Sequence, residues 1–129
     1  MHRILVVDDK ETSRELLRAV LENAGYAVSE AADGGEAIKK VHAENPDLIL
    51  LDLQMPVLDG YQVLERLRRD TRHATLPIIA LTASAMEGDR EKAFAAGFTA
   101  HLAKPVGLAE LRGEIQRLLK TGASASSLR

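Results

Sequence analysis

The chain has 129 residues, of which 46% are hydrophobic and 28% charged, and its formal net charge is −2. This length and composition fit one globular domain, and the nearly balanced charge argues against direct binding of nucleic acid or a membrane. The absence of cysteine excludes disulfides, zinc–thiolate sites and thiol catalysis. The first apolar run, residues 4–7, is too short for a signal peptide, so we expect a cytoplasmic protein.

Five short, mostly apolar runs alternate with five segments of helical pattern along the chain. The predicted strands are residues 4–7, 27–31, 48–51, 76–81 and 99–103. The predicted helices are residues 11–24, 33–43, 86–96 and 108–120, together with one that begins at Asp59 and runs into an arginine-rich segment. Regular strand–helix alternation predicts an α/β fold, a doubly wound parallel sheet with helices on both faces. The domain is expected to span residues 1–120, and the small, polar residues 121–129 to form a flexible tail or the start of a linker.

Two helix starts carry the spacing of a capping box. Asp33 is followed three residues later by Glu36, and Asp59 is followed three residues later by Gln62. In a capping box the first side chain accepts a hydrogen bond from the backbone of the later residue, whose side chain bonds back to the cap. We therefore expect helices to begin at both places.

Apolar residues near helical spacing predict the buried face of the first and third helices. In the first helix these residues are Leu16, Leu17, Val20, Leu21 and Ala24. In the third helix they are Tyr61 or Val63, Leu64 and Leu67. The third helix then runs into Arg66, Arg68, Arg69 and Arg72. Positive charge suits a helix C-terminus, so we favour a solvated face for these arginines over a patch that binds a partner.

The predicted central strand ends abruptly in a carboxylate. Residues 48–51 are four consecutive large apolar side chains, and Asp52 follows them directly. Pro56 and the pair Asp59-Gly60 then indicate a turn and the start of a helix. Asp52 is thus expected at the carboxyl end of a buried strand, the edge of an open parallel sheet at which ligands bind.

Other strands place polar side chains at the same edge. Asp8 and Asp9 follow the first strand, Thr82 the fourth and Lys104 the fifth. Each has an ordinary explanation when taken alone, as a helix cap, a turn hydroxyl or a surface lysine. Together with Asp52 they offer carboxylate oxygens that suit Mg²⁺, beside a hydroxyl and an ammonium group that suit a phosphate. Carboxylates also serve as covalent nucleophiles for phosphoryl groups.

The arrangement of these residues resembles the receiver domain of two-component response regulators. The resemblance covers about residues 3–120 and implies a flavodoxin-like fold with strand order 2-1-3-4-5. The motifs that carry it are Val7-Asp8-Asp9, Leu51-Asp52-Leu53-Gln54-Met55-Pro56 with Asp59-Gly60, Leu81-Thr82-Ala83 and Lys104-Pro105.

The resemblance implies a role for each side chain at the predicted edge. Asp52 would accept a phosphoryl group from a phosphohistidine on a histidine kinase or a histidine phosphotransfer protein. Asp8, Asp9, Asp52 and the backbone carbonyl of Gln54 would bind Mg²⁺. Thr82 would move towards the phosphoryl group.

Lys104 would pair with the phosphoryl group, and the peptide bond between Lys104 and Pro105 would be cis, as the resemblance implies. The face formed by the fourth helix, fifth strand and fifth helix, about residues 86–120, would bind a downstream protein. Oligomeric state is left open between a monomer and a phosphorylation-dependent dimer. The protein would catalyse only its own phosphorylation and dephosphorylation.

One position departs from the family pattern. The aromatic switch residue, usually Tyr or Phe, lies three residues before the lysine, and His101 stands there in this chain. Histidine titrates near neutral pH, so the switch is expected to be weaker or pH-dependent. The alternative is that His101 is simply exposed beside a partner surface.

Two other classes of function remain as alternatives. A small phosphatase with an aspartyl-phosphate intermediate would need an acid/base group and a substrate pocket, but Gln54 occupies the position where haloacid-dehalogenase-like phosphatases carry a second Asp. A flavodoxin-like flavin binder is disfavoured by few aromatic residues and by acidic residues where a phosphate-binding loop needs Gly, Ser and Thr. Met1 favours a stand-alone receiver, whereas the Ser/Ala-rich end leaves open a piece of a larger regulator or hybrid kinase.

Overall fold

The computed structural model describes residues 2–83 and 88–127, with side chains described as far as residue 120. Five strands and five helices alternate along the chain, and one short 3₁₀ helix, Thr71–His73, precedes the fourth strand. The strands are β1 (Arg3–Val7), β2 (Ala27–Ala31), β3 (Leu48–Asp52), β4 (Ile78–Thr82) and β5 (Ala100–Ala103). The helices are α1 (Glu11–Asn23), α2 (Gly34–Glu44), α3 (Gly60–Arg69), α4 (Asp89–Ala96) and α5 (Leu108–Ser127).

All five strands belong to one parallel sheet in the order β2-β1-β3-β4-β5. This confirms the predicted flavodoxin-like, doubly wound α/β fold. Every residue of β3 and β4 is buried, as expected for central strands that are covered by helices on both faces. Within the described residues, no helix is both long enough and apolar enough to span a membrane.

The core has one apolar layer on each face of the sheet. On one face, α2, α3 and α4 contribute buried residues that include Val41, Leu64 and Ala93. On the other face, α1 and α5 contribute residues that include Leu21 and Ile115. Because helices cover both faces of the sheet, polar groups that serve a ligand are expected at the carboxyl ends of the strands.

Only one of the two predicted capping boxes is complete. At α3, the Asp59 carboxylate accepts from the Gln62 backbone N–H and the Gln62 side chain accepts from the Asp59 N–H, both at 3.0 Å. At α2, Asp33 does accept from the Glu36 N–H, at 2.8 Å. The Glu36 carboxylate instead bonds the N–H of Ala32, at 2.6 Å, so it caps one residue earlier than predicted.

The predicted core face of α1 is partly wrong. Leu17 and Leu21 are buried as expected, but Leu16 is 63% exposed and Ala24 is also exposed. Leu16 lies about 100° around the helix from Leu17, and α1 packs through a narrower stripe than the apolar spacing suggested. In α3 the prediction left Tyr61 and Val63 as alternatives, and Val63 is the fully buried one.

Several element boundaries differ from the prediction. Strand β4 begins at Ile78, after Pro77, which has no N–H for the sheet. Helix α4 begins at Asp89, and the predicted start at Met86 lies outside the described residues. Helix α5, expected to end near Lys120, continues to Ser127. Whether residues 121–129 act as a flexible tail or a linker stays a prediction.

The solvated face predicted for the arginines of α3 is wrong for Arg68. Its guanidinium is half-buried and donates to the backbone oxygens of His73 and Leu76 at 2.8 and 2.7 Å. It also donates to the Gly97 oxygen at 2.9 Å. Arg68 therefore fastens α3 to the segments before β4 and after α4, while Arg66, Arg69 and Arg72 are exposed as expected.

Candidate functional site

Two neighbouring strands bring the buried carboxylates together. Asp52 is the last residue of β3, and Asp8 follows the last residue of β1. Strands β1 and β3 pair in parallel with Val7 opposite Leu51. Asp8 and Asp52 are the next residues on the two strands, so they lie side by side at the carboxyl edge of the sheet. Asp8 is fully buried and Asp52 is 3% exposed, whereas Asp9 is exposed. One carboxylate oxygen from each of the three residues lies within 4.8 Å of the other two.

Lys104 is the cation that faces this acidic cluster. Its Nζ lies 2.8 Å from Asp8 Oδ2 and 3.7 Å from Asp52 Oδ2. Lys104 lies just after β5, and its backbone N–H donates to the oxygen of Thr82, at 2.7 Å. The peptide bond between Lys104 and Pro105 is cis, as predicted.

The two remaining predicted residues also lie at this edge. Thr82 ends β4 and is buried, pairing with Ala103 in the sheet. The backbone N–H of Gln54 donates to Asp52 Oδ1 at 3.1 Å, which orients the carboxylate. The structure thus brings together Asp8, Asp9, Asp52 and Lys104, with Thr82 and Gln54 beside them.

Burial is the main influence on the pKa of Asp52. Loss of water around the carboxyl raises the pKa, and the nearby charges of Asp8 and Asp9 raise it further. The Gln54 N–H and the Lys104 ammonium oppose this rise. The net result is a raised pKa, so the ionised form of Asp52 is less stable in the site than it is in water.

A close backbone approach at the start of α3 supports the site. The Gly60 N–H donates to the Leu53 oxygen at 3.1 Å, which joins the helix to the residue after Asp52. A Cβ atom on Gly60 would lie only 2.7 Å from the backbone carbonyl oxygen of Asp52 and 2.8 Å from the Leu53 Cα. The helix can come this close only because residue 60 is glycine, which explains the Asp59-Gly60 pair.

Two contacts to Asp8 were missing from the sequence interpretation. The Lys10 N–H donates to Asp8 Oδ1 at 2.9 Å, and Arg14 Nη1 donates to the Asp8 backbone oxygen at 2.7 Å. Arg14 also pairs with Glu30 at the end of β2. The sequence places Arg14 in the first turn of α1, and this is the one signal that it could contact Asp8. A helical pattern does not show which polar side chain of that turn points towards the strand end.

His101 lies away from the acidic cluster, in a groove between α4 and α5. It is 8% exposed, and its ring Nε2 is buried with no hydrogen-bond partner among the described residues. Phe94, Glu110 and Arg117 line the same groove. The alternative that His101 is simply exposed is therefore wrong.

The donor set at the strand ends fits a hard divalent cation. Three carboxylates face one lysine, so their negative charge exceeds the positive charge placed beside them. Carboxylate oxygens, without sulfur or imidazole, are the ligands that Mg²⁺ prefers. Asp8, Asp9 and Asp52 could therefore bind such an ion, with Lys104 left to meet an anion.

Comparison with known proteins agrees with this geometry. A family model described as the response regulator receiver domain matches residues 4–116. The chain is 43% identical over 114 residues to a 14.6 kDa protein from Leptolyngbya boryana, and the alignment covers 88% of this chain and 87% of that protein. It is 44% identical over 124 residues to the transcriptional regulatory protein ResD of Bacillus subtilis, which covers 96% of this chain and 50% of ResD.

A solved structure adds the same fold at similar identity. The receiver domain of a sensor histidine kinase from Pseudomonas aeruginosa, crystallised with magnesium in its active-site cleft, is 39% identical with a TM-score of 0.85. The match covers 92% of this chain and 98% of that one. Strand order, polar groups at the carboxyl edge and these matches agree, and the chain belongs to the response regulator receiver domain family of two-component signalling proteins.

Proposed function

We propose that the chain is a phosphorylation-controlled switch in which Asp52 accepts a phosphoryl group. The donor is a phosphohistidine on a histidine kinase or a histidine phosphotransfer protein. The observation that carries the proposal is the cluster of Asp8, Asp9 and Asp52 oxygens within 4.8 Å, with the Lys104 ammonium 3.7 Å from Asp52 Oδ2.

The transfer needs little chemistry from the protein beyond position and charge. A carboxylate oxygen of Asp52 attacks phosphorus, the bond between phosphorus and the donor imidazole nitrogen breaks, and the imidazole leaves with that electron pair. The ionised carboxylate is itself the nucleophile, so no general base is required. The Gln54 N–H and Lys104 both favour this ionised form.

A bound Mg²⁺ would neutralise charge on the phosphoryl oxygens during transfer. The residues proposed to hold it are Asp8, Asp9, Asp52 and the backbone carbonyl of Gln54. Support comes from the carboxylate set, and from the magnesium ion in the cleft of the related Pseudomonas aeruginosa receiver. Asp8 is itself positioned by the Lys10 N–H.

Lys104 and Thr82 are proposed to respond to the new charge. Before phosphorylation the Lys104 ammonium bonds Asp8 at 2.8 Å and stands farther from Asp52. A phosphoryl group on Asp52 adds negative charge and strong acceptors, which draw the ammonium and the Thr82 hydroxyl towards Asp52. Because Thr82 and Lys104 adjoin β4 and β5, their movement can reach the face formed by α4, β5 and α5, where we propose that a downstream protein binds.

The chain spans about half the length of ResD. The activity of any larger assembly, the identity of the kinase and the downstream partner are thus proposals beyond the receiver itself. As a receiver, the chain would catalyse only its own phosphorylation and dephosphorylation. It would act in the cytoplasm, either as a monomer or as a phosphorylation-dependent dimer.

The test is phosphorylation by acetyl phosphate, read as added intact mass with and without Mg²⁺. We expect the wild type to gain one phosphoryl group only with Mg²⁺, and Asp52→Asn to gain none. Asp47→Asn is a matched control, because Asp47 Oδ2 accepts from the Arg3 N–H, near the opposite edge of the sheet. Labelling that persists in Asp52→Asn, or that ignores Mg²⁺, would show that the proposal is wrong.

A further inference from the structure

A second cluster of metal-binding side chains lies near the amino edge of the sheet. His42 is in the last turn of α2, Asp70 follows α3, and His73 belongs to the 3₁₀ helix that leads to β4. Asp70 Oδ2 lies 3.9 Å from His42 Nδ1 and 3.9 Å from His73 Nε2. One possible ligand atom from each of the three residues lies within 4.8 Å of the other two.

His73 gives an independent reason to consider a ligand here. The residue is 5% exposed, and its Nε2 has no hydrogen-bond partner among the described residues. Buried polar atoms in proteins nearly always have a partner, so an unpaired ring nitrogen needs an explanation. This nitrogen lies 3.9 Å from Asp70 Oδ2, beside the cluster that His73 forms with Asp70 and His42.

Asp70 is held in place by the backbone. Its Oδ1 accepts from the Arg72 backbone N–H at 2.9 Å, which caps the 3₁₀ helix. The carboxylate thus keeps a fixed orientation that does not depend on the Arg72 side chain, as a metal ligand should.

Arg72 currently occupies part of the space that a cation would take. Its Nη2 lies 2.8 Å from Asp70 Oδ2 and 3.4 Å from His42 Nδ1. The Arg72 side chain is 67% exposed, so it can turn into solvent. The guanidinium satisfies Asp70 but leaves the buried His73 Nε2 unpaired, so it is a competitor rather than a full occupant.

We propose that His42 Nδ1, Asp70 Oδ2 and His73 Nε2 form a binding site for a divalent transition-metal ion such as Zn²⁺. With bond lengths of about 2.0–2.1 Å, tetrahedral ligand atoms stand roughly 3.3 Å apart, so each of the two pairs that include Asp70 must close by about half an ångström from 3.9 Å. One nitrogen of each histidine already lies within 4.8 Å of the other, and this pair must close as well. Two imidazoles and one carboxylate favour Zn²⁺ over Mg²⁺, and water would complete the coordination.

The site is separate from the phosphoacceptor chemistry. His42 and His73 precede β3 and β4 respectively, whereas Asp52 lies at the carboxyl end of β3. A bound ion joins the C-terminal end of α2 to the connection between α3 and β4. Because the three ligands are brought together only by folding, binding stabilises the folded chain.

The test is a titration of the full chain with Co²⁺ in excess Mg²⁺, read by visible absorption. Excess Mg²⁺ occupies the carboxylate cluster, and imidazole-bound tetrahedral Co²⁺ absorbs far more strongly than ions held by oxygen in octahedral geometry. We expect one equivalent to bind the wild type. His42→Ala should weaken binding by about tenfold or more, since even an outer-shell partner costs about 10–100-fold. His42 is exposed, so this variant leaves the core intact.

Two further variants sharpen the test. His2→Ala removes an exposed histidine outside the cluster and should bind Co²⁺ as the wild type does. Arg72→Ala removes the competing guanidinium and should bind more tightly. Absence of the absorption band in the wild type and Arg72→Ala, or equal binding by His42→Ala, would overturn the proposal. Loss of binding in His2→Ala would overturn it too.

Discussion

At the scale of single residues, the two buried carboxylates of the site differ in how well they are compensated. Asp8 accepts from the Lys10 N–H at 2.9 Å and pairs with Lys104 at 2.8 Å. Asp52 accepts from one backbone N–H at 3.1 Å, and Lys104 stays 3.7 Å away. The proposed phosphoacceptor is thus the less stabilised anion of the two, so a cation bound beside it would gain more than one bound beside Asp8.

We predict that Asp52→Asn stabilises the metal-free protein. The folded state raises the pKa of Asp52 above its ordinary value, chiefly through burial. Between those two pKa values the folded state binds more protons than the unfolded state, so stability falls as pH rises through this window. At neutral pH the wild type therefore carries a penalty that asparagine removes, and urea unfolding in EDTA should show a higher free energy of unfolding for Asp52→Asn than for the wild type.

The control for this prediction is Asp9→Asn. Asp9 is exposed, so its replacement should change the free energy of unfolding by about 0.5 kcal/mol or less. Added Mg²⁺ should stabilise the wild type more than Asp52→Asn, because the variant lacks one of the proposed ligands. A loss of stability in metal-free Asp52→Asn would contradict the assignment of Asp52 as a strained anion.

At the scale of elements, Arg68 shows how a side chain can serve as a connector. One guanidinium on α3 bonds the carbonyls of His73 and Leu76 before β4 and that of Gly97 after α4. Burial lowers the pKa of Arg68, but the charge stays in place with carbonyl partners around it. These carbonyls lie at the end of the 3₁₀ helix, in the connection to β4 and at the end of α4, and a long side chain can reach all three.

We predict that Arg68→Ala destabilises the protein by about 3 kcal/mol, because the part-buried carbonyls of His73, Leu76 and Gly97 all lose their hydrogen bonds to the guanidinium. Arg69→Ala is the matched control on the next residue. Arg69 is 72% exposed and pairs with the exposed Glu65 one turn away, so its loss should cost about 0.5 kcal/mol or less. Urea denaturation of both variants measures the difference, and equal effects would refute the connector role.

The approach of α3 to the end of β3 gives a second prediction for an element. Gly60→Ala should destabilise the protein by about 1–3 kcal/mol, because the new Cβ would meet the backbone of Asp52 and Leu53 below 3.0 Å. Gly113→Ala is the control, since Gly113 lies in α5 with nothing within 4 Å of a Cβ. Gly113→Ala should raise the free energy of unfolding by about 0.5–1 kcal/mol, because alanine has a higher helix propensity than glycine. A neutral Gly60→Ala in thermal unfolding would contradict the close packing.

The elements also show which features a sequence can reveal. Strands β3 and β4 were recognisable because fully buried strands need continuous apolar runs, and Asp52 ends such a run abruptly. Arg68 was not recognisable, because its sequence context is the same as that of its exposed neighbours. Its role depends on where the Gly97 carbonyl arrives, which is a property of the folded chain.

At the scale of the whole molecule, parallel topology explains why the site could be predicted and His101 could not. In a parallel sheet every strand end of one kind meets at one edge, so Asp8, Asp52 and Lys104 converge by connectivity alone. The surroundings of His101 are set instead by how α4 and α5 close over β5. That packing is a long-range result that no local pattern in the sequence determines.

The position of His101 leads to a prediction about how the proposed phosphorylation would reach the α4-β5-α5 face. Two residues separate His101 from Lys104, and His101 lines the groove with Phe94 between α4 and α5. Its Nε2 is buried and lacks a partner among the described residues, so the imidazole is held here without the hydrogen bond that would offset its loss of water. We expect His101→Tyr to fill the groove and to couple it more strongly to the phosphorylated site.

The measurement is hydrogen exchange of Asp89–Ala96 and Ala100–Ala103, with and without acetyl phosphate and Mg²⁺. His101→Tyr should enlarge the phosphorylation-dependent difference in protection by on the order of 1 kcal/mol, the usual lower range of coupling between sites. The double variant with Asp52→Asn should show no response, because the enlarged difference requires the acyl phosphate rather than the new ring alone. An unchanged difference in His101→Tyr would mean that the signal leaves Lys104 by a route that does not pass through residue 101, and that the groove only packs the resting domain.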